Sequence, residues 1–272
     1  MKRLILLSLL VIASATAIAQ EKAKYRIIYQ LDYFSERKDT TQKTMNWELN
    51  IGESTLLFCN MENRLCNEKL DSLNKNNVDL ATSLAFLPKL RAQYRNRSYL
   101  EVFYNFLNGG TCTIKNTIST NTLCYSDSLP DIKWTLLSDS GKKILDFNCK
   151  KASAFVRGRQ WTVWYTEDIP FRLGPWLLGG LPGLILAAED SDGTFKFVCV
   201  GMQNNPDQII TLNKKKVIST TKKKFLKLRK EFDEDRIGYE LRYYSDKVIK
   251  ITDEKGNNLT HSKPVYKNYL ER

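Results

Sequence analysis

The sequence has 272 residues, with 42 Lys and Arg against 30 Asp and Glu, so its net charge at neutral pH is +12. A single histidine excludes metal sites built from several histidines, and the basic charge is not accompanied by a recognisable nucleic-acid module. The charge favours contact with acidic membrane surfaces, polyanions or acidic peptides, or it serves solubility alone.

The N-terminus predicts a secretory signal peptide. Lys2 and Arg3 precede an apolar run that ends near residue 17, and small residues place cleavage after Ala19. The run is too short to span a bilayer, and no later stretch has the ~18 apolar residues that a span needs. We therefore expect residues 1–19 to be removed, leaving 253 residues (272 − 19) with a charge of +10 (12 − 2), exported to the periplasm or cell envelope.

Alternating apolar and polar residues predict strands through most of the mature chain. Such runs occupy residues 25–33, 45–51, 55–59, 100–106, 112–114, 132–137, 144–149, 152–156, 161–165, 184–189 and 194–200. The turn-forming residues between them, including those at 138–141 and 191–193, predict successive hairpins. We therefore predict one mainly β domain over residues 20–272, an antiparallel meander curved into a half-barrel or sandwich. The half-barrel of periplasmic lipoprotein carriers is the preferred analogue.

Three regions need a separate interpretation. Residues 62–96 are rich in Asn, Lys and Asp and sustain neither period, which predicts an irregular, partly helical insertion. Residues 239–251 are interpreted as a last hairpin, followed by a polar tail. Residues 219–233 carry apolar side chains at helical spacing, which predicts one amphipathic helix packed on the sheet. Cations in its first turn oppose the helix dipole, so we interpret three of them as a surface that meets anions: Lys222, Lys223 and Lys224.

All six cysteines lie in the mature chain, and an even number in an exported protein predicts disulfides. Separation along the chain favours the pairs Cys59–Cys66, Cys112–Cys124 and Cys149–Cys199. A zinc site is the alternative, but the sequence has no Cys-x-x-Cys, so we expect no metal.

Residues 170–186, hereafter the apolar segment, combine two properties that seldom occur together. Three prolines and four glycines lie between residues 170 and 183, which excludes a regular strand or helix, yet Arg172 is the only polar residue. Side chains of this kind avoid water. The apolar segment is therefore expected to be buried or to bind something.

Three of the five tryptophans lie at or just before the apolar segment. Packing in the core is one interpretation, and lining of a ligand cavity is the other. Under the second interpretation the candidate ligand-binding residues are Trp161, Trp164, Trp176, Leu178, Leu181 and Leu184.

Catalytic signals are weak. A hydrolase would depend on His261 in the polar tail and on Glu167 at a strand end, and no glycine-rich phosphate-binding motif is present. We expect no catalytic residues and no cofactor.

Cys-Lys-Lys-Ala at 149–152, the Trp-rich run at 158–165 and Gly-Pro-Trp at 174–176 precede an unbroken hexapeptide: Gly180, Leu181, Pro182, Gly183, Leu184 and Ile185. Residues 149–200 closely resemble the GLPGLI family, exported proteins of Bacteroidetes named for that hexapeptide. The family has no established activity or catalytic residues. Its members are often encoded near TonB-dependent outer-membrane transporters, which the resemblance makes a candidate partner system.

We therefore expect a non-enzymatic periplasmic binding or accessory protein that holds an apolar ligand or peptide at the apolar segment, and the resemblance implies association with TonB-dependent transport. The alternative is a structural scaffold that docks on a membrane protein or anionic surface, and a hydrolase is the weakest alternative.

Overall fold

A computed structural model describes residues 21–75, 79–95, 97–106, 109–212, 217–243, 252 and 254–271. The predicted signal peptide lies outside the described residues. Within them, no helix is long and apolar enough to cross a membrane.

The described residues form fourteen strands and four helices. The strands are β1 (Glu21–Lys22), β2 (Tyr25–Tyr33), β3 (Lys43–Ile51), β4 (Thr55–Asn60), β5 (Glu101–Asn105), β6 (Thr111–Ile118), β7 (Asn121–Ser128), β8 (Thr135–Ile144), β9 (Phe147–Val156), β10 (Arg159–Thr166), β11 (Leu184–Asp190), β12 (Phe195–Asn204), β13 (Ile209–Ile210) and β14 (Val217–Ser219). The helices are α1 (Met61–Lys75), α2 (Leu80–Gln93), α3 (Lys222–Glu234) and α4 (Arg236–Tyr243).

Twelve strands form one sheet in the order β14-β7-β6-β5-β4-β3-β2-β12-β11-β10-β9-β8. Strands β2 to β7 form one meander and β8 to β12 form another, and the two join where β12 pairs with β2. All neighbours are antiparallel except β14 and β7. The predicted mainly β, curved antiparallel meander is confirmed.

The alternation that predicted β2 and β3 corresponds to their two faces. Cross-strand pairs that point to the core are Ile27 with Leu49, Tyr29 with Trp47, and Leu31 with Met45. All six side chains are buried. Successive residues of a strand point to opposite faces, so this register buries the middle of one face of both strands.

The insertion is more helical than predicted, since α1 and α2 occupy most of it. Helix α1 packs against β3 and β4, on the face of the sheet opposite the core. Its Arg64 meets Glu48 through two hydrogen bonds of 2.7 Å each. A carboxylate as buried as Glu48 requires such a partner, which fixes the helix on the sheet.

Helix α3 confirms the helix predicted at 219–233. It begins after Thr221, whose Oγ1 accepts a hydrogen bond from the Lys224 amide at 3.2 Å. Phe225 and Leu228 are buried in the main core, and the Phe225 ring lies 5.1 Å from that of Tyr125 on β7. The helix therefore covers part of the inner face of the sheet.

One predicted turn and one predicted strand are wrong. Strand β8 continues through residues 138–141 with an irregular register, and the chain turns at Leu145 and Asp146 instead. Residues 236–243 form α4 where a strand of the last hairpin was expected, and residues 244–251 lie outside the described part. The alternation of Tyr239, Leu241 and Tyr243 misled the prediction, because these residues also belong to a helix that Asp235 caps at the Gly238 amide.

All six cysteines are buried free thiols, so the predicted disulfides are absent from the structure. The register explains this for Cys112 and Cys124. Cys112 pairs with Asp127, whereas Cys124 pairs with Lys115, three positions away. This offset separates the two cysteines by about 10 Å along the strands and places them on opposite faces.

The other predicted pairs also fail. Cys149 on β9 and Cys199 on β12 are separated by two intervening strands, β10 and β11, and both are free thiols. Cys59 lies on β4, and Cys66 lies on α1, where it accepts a hydrogen bond at 3.0 Å from Nη1 of Arg97. Proximity in sequence was therefore a poor guide to proximity of the thiols.

Candidate binding site at the apolar segment

The apolar segment leaves β10, crosses the inner face of the sheet, and returns as the start of β11. It has no regular structure before Leu184: a turn joins the Leu178 amide to the Pro175 carbonyl at 3.1 Å, and Leu173 bridges to Gly179. Its large side chains belong to the main core, with Trp176 and Leu181 each 3% exposed. The apolar segment is therefore buried, which was one of the two alternatives expected from its sequence.

A buried loop needs partners for its backbone carbonyls, and side chains supply four of them. The donors are Tyr29 Oη to Ile185 O at 2.7 Å, Tyr104 Oη to Trp176 O at 3.0 Å, Trp134 Nε1 to Gly179 O at 2.8 Å, and Arg172 Nη2 to Gly180 O at 2.7 Å. Burial raises the pKa of Tyr29 and of Tyr104 well above the usual range, so both hydroxyls remain donors. These bonds hold the segment in one conformation.

The two glycines of the hexapeptide are required for different reasons. Gly180 has φ +91°, a conformation that side chains with a Cβ rarely adopt. A Cβ at position 183 would lie 1.9 Å from the Thr166 carbonyl oxygen, so only glycine allows the two backbones to approach. The chain bends over residues 181–183, and β11 begins at Leu184.

The structure separates the predicted ligand-binding residues. Trp161 and Leu184 are fully buried, and the rings of Trp161 and Trp176 pack 6.1 Å apart in the core. Trp164 faces the other side of the sheet, where the Lys142 ammonium lies 3.5 Å from its ring centroid. These tryptophans form no common surface.

A cavity of about 360 Å³, hereafter the segment cavity, lies beside the apolar segment. Most of its wall is apolar: Leu173, Leu177 and Leu178 from the segment, and Tyr104, Phe106, Leu129 and Ile132 from the facing part of the sheet. Arg172 and Asp131 are its charged residues. Phe106 is 44% exposed, so the cavity opens to solvent there.

Of the six predicted residues, only Leu178 lines the segment cavity. The facing wall comes from the ends of β5 and β7 and the residues after them, far away in sequence. The one available signal was the glycine pair before β6, since Gly109 and Gly110 both have positive φ and Gly110 lines the cavity.

The three lysines predicted to meet anions do not act alike. Lys222 is half-buried, and its ammonium binds Asp127 at 2.9 Å and also Glu271. Lys223 and Lys224 are exposed. The charge of Lys222 is therefore used inside the protein.

The two residues proposed for a hydrolase have separate partners. His261 Nδ1 lies 2.6 Å from Asp235 Oδ2, and this hydrogen bond lowers the pKa of Asp235 strongly. Glu167 accepts a hydrogen bond from Lys150 at 2.7 Å. In the part of the chain that the structure describes, no group of three or more His, Cys, Asp or Glu could hold a metal.

Residues 110–240 match a family model described as "N-glycanase peptide, N-terminal domain". No curated protein matches the chain. Two solved structures of PNGF-II, in the P21 and C2 space groups, are each 19% identical over 77% of this chain, with TM-scores of 0.46 and 0.45. The match covers 33% and 32% of those chains, so this chain spans about a third of their length.

A LolA superfamily protein from Nitrosomonas europaea is 9% identical, with a TM-score of 0.27. That match covers 73% of this chain and 91% of the other. The resemblance of residues 149–200 to the GLPGLI family stays a prediction.

Proposed function

We propose that this chain is an exported, non-enzymatic binding or accessory protein of the bacterial envelope that holds a short apolar peptide in the segment cavity. The observation that carries the proposal is an apolar wall built on a backbone that four side-chain donors hold in place. A wall fixed in this way loses little conformational entropy when it binds.

The chemistry of the segment cavity supports a peptide ligand. Its volume of about 360 Å³ lies at the lower end of the range for small-ligand sites, which is enough for one or two apolar side chains. Arg172 uses Nη2 to bind the Gly180 carbonyl, and a guanidinium has five N–H donors. The remaining donors can meet the carbonyl groups of a bound peptide.

The family comparison supports an accessory role. The matching family model describes the N-terminal domain of an N-glycanase, which is a unit beside another part of a larger protein. Under this proposal, peptides released or exposed by glycan processing are candidate ligands. The resemblance to the GLPGLI family supports association with a TonB-dependent transport system.

The test is a titration of the mature protein with the neutral dipeptide N-acetyl-Leu-Leu-amide, in which tryptophan fluorescence reports binding. Trp134 is the expected reporter, because its indole binds Gly179 at the cavity wall. Phe106→Ala should weaken binding about tenfold, since it removes apolar wall area without opening the core. Phe155→Ala, at a side chain 71% exposed and away from the cavity, is the matched control and should bind as the wild type does.

Absence of saturable binding by the wild type would contradict the proposal. So would equal affinity of the wild type and Phe106→Ala, because binding would then occur elsewhere.

A structural scaffold is the second candidate, and the burial of the apolar segment in the core favours it. Exposed Lys223 and Lys224 would then supply the contact with an anionic surface. Changing both to Glu should abolish sedimentation with phosphatidylglycerol vesicles while leaving Lys222 and its partners intact. Unchanged sedimentation would count against docking through α3.

A further inference from the structure

A second cavity, of about 410 Å³ and hereafter the tail cavity, lies between α3 and the C-terminal tail. Backbone hydrogen bonds hold the tail against two separate parts of the chain. The Val265 amide donates to the Asp233 carbonyl at 2.8 Å, and Tyr266 accepts from the Arg37 amide at 2.9 Å. Backbone hydrogen bonds therefore fix the walls of the cavity on both sides.

The acidic residues of the tail cavity already have partners. Asp233 Oδ2 accepts a hydrogen bond from the Tyr269 hydroxyl at 2.5 Å. Glu234 pairs with Lys230 at 3.7 Å. Asp233 keeps its charge, and its Oδ1 is buried without a hydrogen-bond partner among the described residues, but the lining of the cavity holds four basic side chains against these two carboxylates.

Two cations that line the tail cavity lack such partners. In the described part of the chain, the side chains of Arg37 and Lys267 make no hydrogen bond or salt bridge. Lys267 is half-buried, and burial together with the nearby Arg236 lowers the pKa of its ammonium group. Asp233 and Glu36 also act on it, but neither forms an ion pair with it.

A half-buried ammonium without a partner costs free energy. The fold tolerates this cost at Lys267, although an acidic side chain placed beside the ammonium group would remove the cost. An anionic ligand would supply the missing charge, and hydrogen bonds from ionised donors are the strong ones.

The rest of the wall is apolar and aromatic. Leu226, Pro264 and Val265 line the tail cavity beside Tyr266, which is 58% exposed. Arg229 is occupied by the Tyr269 ring, 4.0 Å from its guanidinium carbon. An inorganic ion alone would leave this wall uncovered.

We infer that the tail cavity binds a small organic anion, a carboxylate or phosphate group carried on an apolar or ring-shaped body. The anionic group lies between Arg37 and Lys267, and the body packs on Val265 and Tyr266. This site is separate from the segment cavity and does not depend on the function proposed for it.

The test is calorimetric titration of the mature protein with phenyl phosphate and with benzoate. Lys267→Gln should weaken binding of the preferred anion about tenfold, because it removes a charged hydrogen-bond donor. Its melting temperature should be unchanged or higher, since Lys267 has no partner to lose. Lys223→Gln, at an exposed lysine outside the cavity, is the matched control and should bind as the wild type does.

The same titration separates the two parts of the ligand. Tyr266→Ala should weaken phenyl phosphate or benzoate binding, and inorganic phosphate should bind less tightly than phenyl phosphate. The inference is overturned if neither anion binds the wild type, if Lys267→Gln binds as tightly, or if neutral benzyl alcohol binds equally well. Phe106→Ala should leave this binding unchanged, so failure here is distinguishable from failure at the segment cavity.

Discussion

Replacing Gly183 by alanine tests how the hexapeptide controls the backbone. The new Cβ would lie 1.9 Å from the Thr166 carbonyl oxygen and 2.6 Å from its carbon, whereas real Cβ atoms essentially never come within 3.0 Å. The backbones at positions 166 and 183 must therefore separate by more than 1 Å. The two contacted atoms of Thr166 belong to the backbone, so no side chain can rotate to relieve the contact.

The expected cost follows from what this separation disrupts. Forcing extra atoms into a packed site costs about 1–3 kcal/mol. The adjacent hydrogen bond from the Leu184 amide to the Ile169 carbonyl, 3.0 Å long, would stretch and add about 1 kcal/mol. Gly183→Ala should therefore destabilise the protein by about 2–4 kcal/mol.

Gly180→Ala is the internal comparison, because its Cβ would have space. The nearest atom is Trp134 Nε1 at 3.9 Å, so only the strain of φ +91° remains, about 1–2 kcal/mol. Urea unfolding followed by tryptophan fluorescence measures both variants. Gly193→Ala, with φ +65° and nothing within 4 Å, calibrates the strain alone. The reasoning is refuted if Gly183→Ala costs no more than Gly180→Ala.

Three further outcomes are expected. Tyr29→Phe leaves the buried Ile185 carbonyl without its donor and should cost about 1–3 kcal/mol in urea unfolding, and an unchanged midpoint would show that the bond is dispensable. Asp235→Asn should destabilise the protein at neutral pH. Because the hydrogen bond from His261 lowers the folded-state pKa of Asp235, this difference should shrink progressively as the pH falls below about 4, and a difference as large at pH 2 as at pH 7 would contradict the assignment. Without reductant, iodoacetamide should label all six cysteines in urea and none in the native protein, as counted by mass spectrometry, whereas fewer labels in urea would indicate disulfides.

The sequence was most informative where one face of a strand is buried. The run that predicted β2 matches its bounds, because every second residue from Ile27 to Leu31 enters the core. The turn at 191–193 was predicted correctly because Gly193 has the positive φ that such a turn needs. In these places local sequence and tertiary contacts favour the same structure.

Prediction of secondary structure failed where contacts between residues distant in the sequence determine the conformation. The turn after β8 uses Leu145 at φ 52°, a residue with no preference for that conformation, while the Gly-containing run at 138–141 remains in the strand. For α4 a local signal did exist. Asp235 and Gly238 stand at the spacing of a helix N-cap, and the alternating apolar residues after Asp235 concealed it.

The sequence predicted where the candidate site lies but not which residues line it. Composition identified the apolar segment as a place where backbone and side chains conflict, and the structure resolves that conflict with Tyr29 and Tyr104 as donors. No sequence period connects Phe106 or Ile132 with the segment, because their proximity depends on the curvature of the sheet. The unpaired Lys267 was equally invisible, since pairing is a property of the folded tail.

The position of β2 between β3 and β12 has a consequence for how this chain folds. Strand β2 lies near the N-terminus, and it acquires its second neighbour only when β12, more than 160 residues away, pairs with it. Until then, nine residues of β2 form an open edge that can pair with other chains. Contacts this distant also slow folding, because loop closure precedes any gain from them. A chain that has not yet paired β12 with β2 therefore exposes this edge to its neighbours, and the pairing of residues 195–204 closes the centre of the sheet.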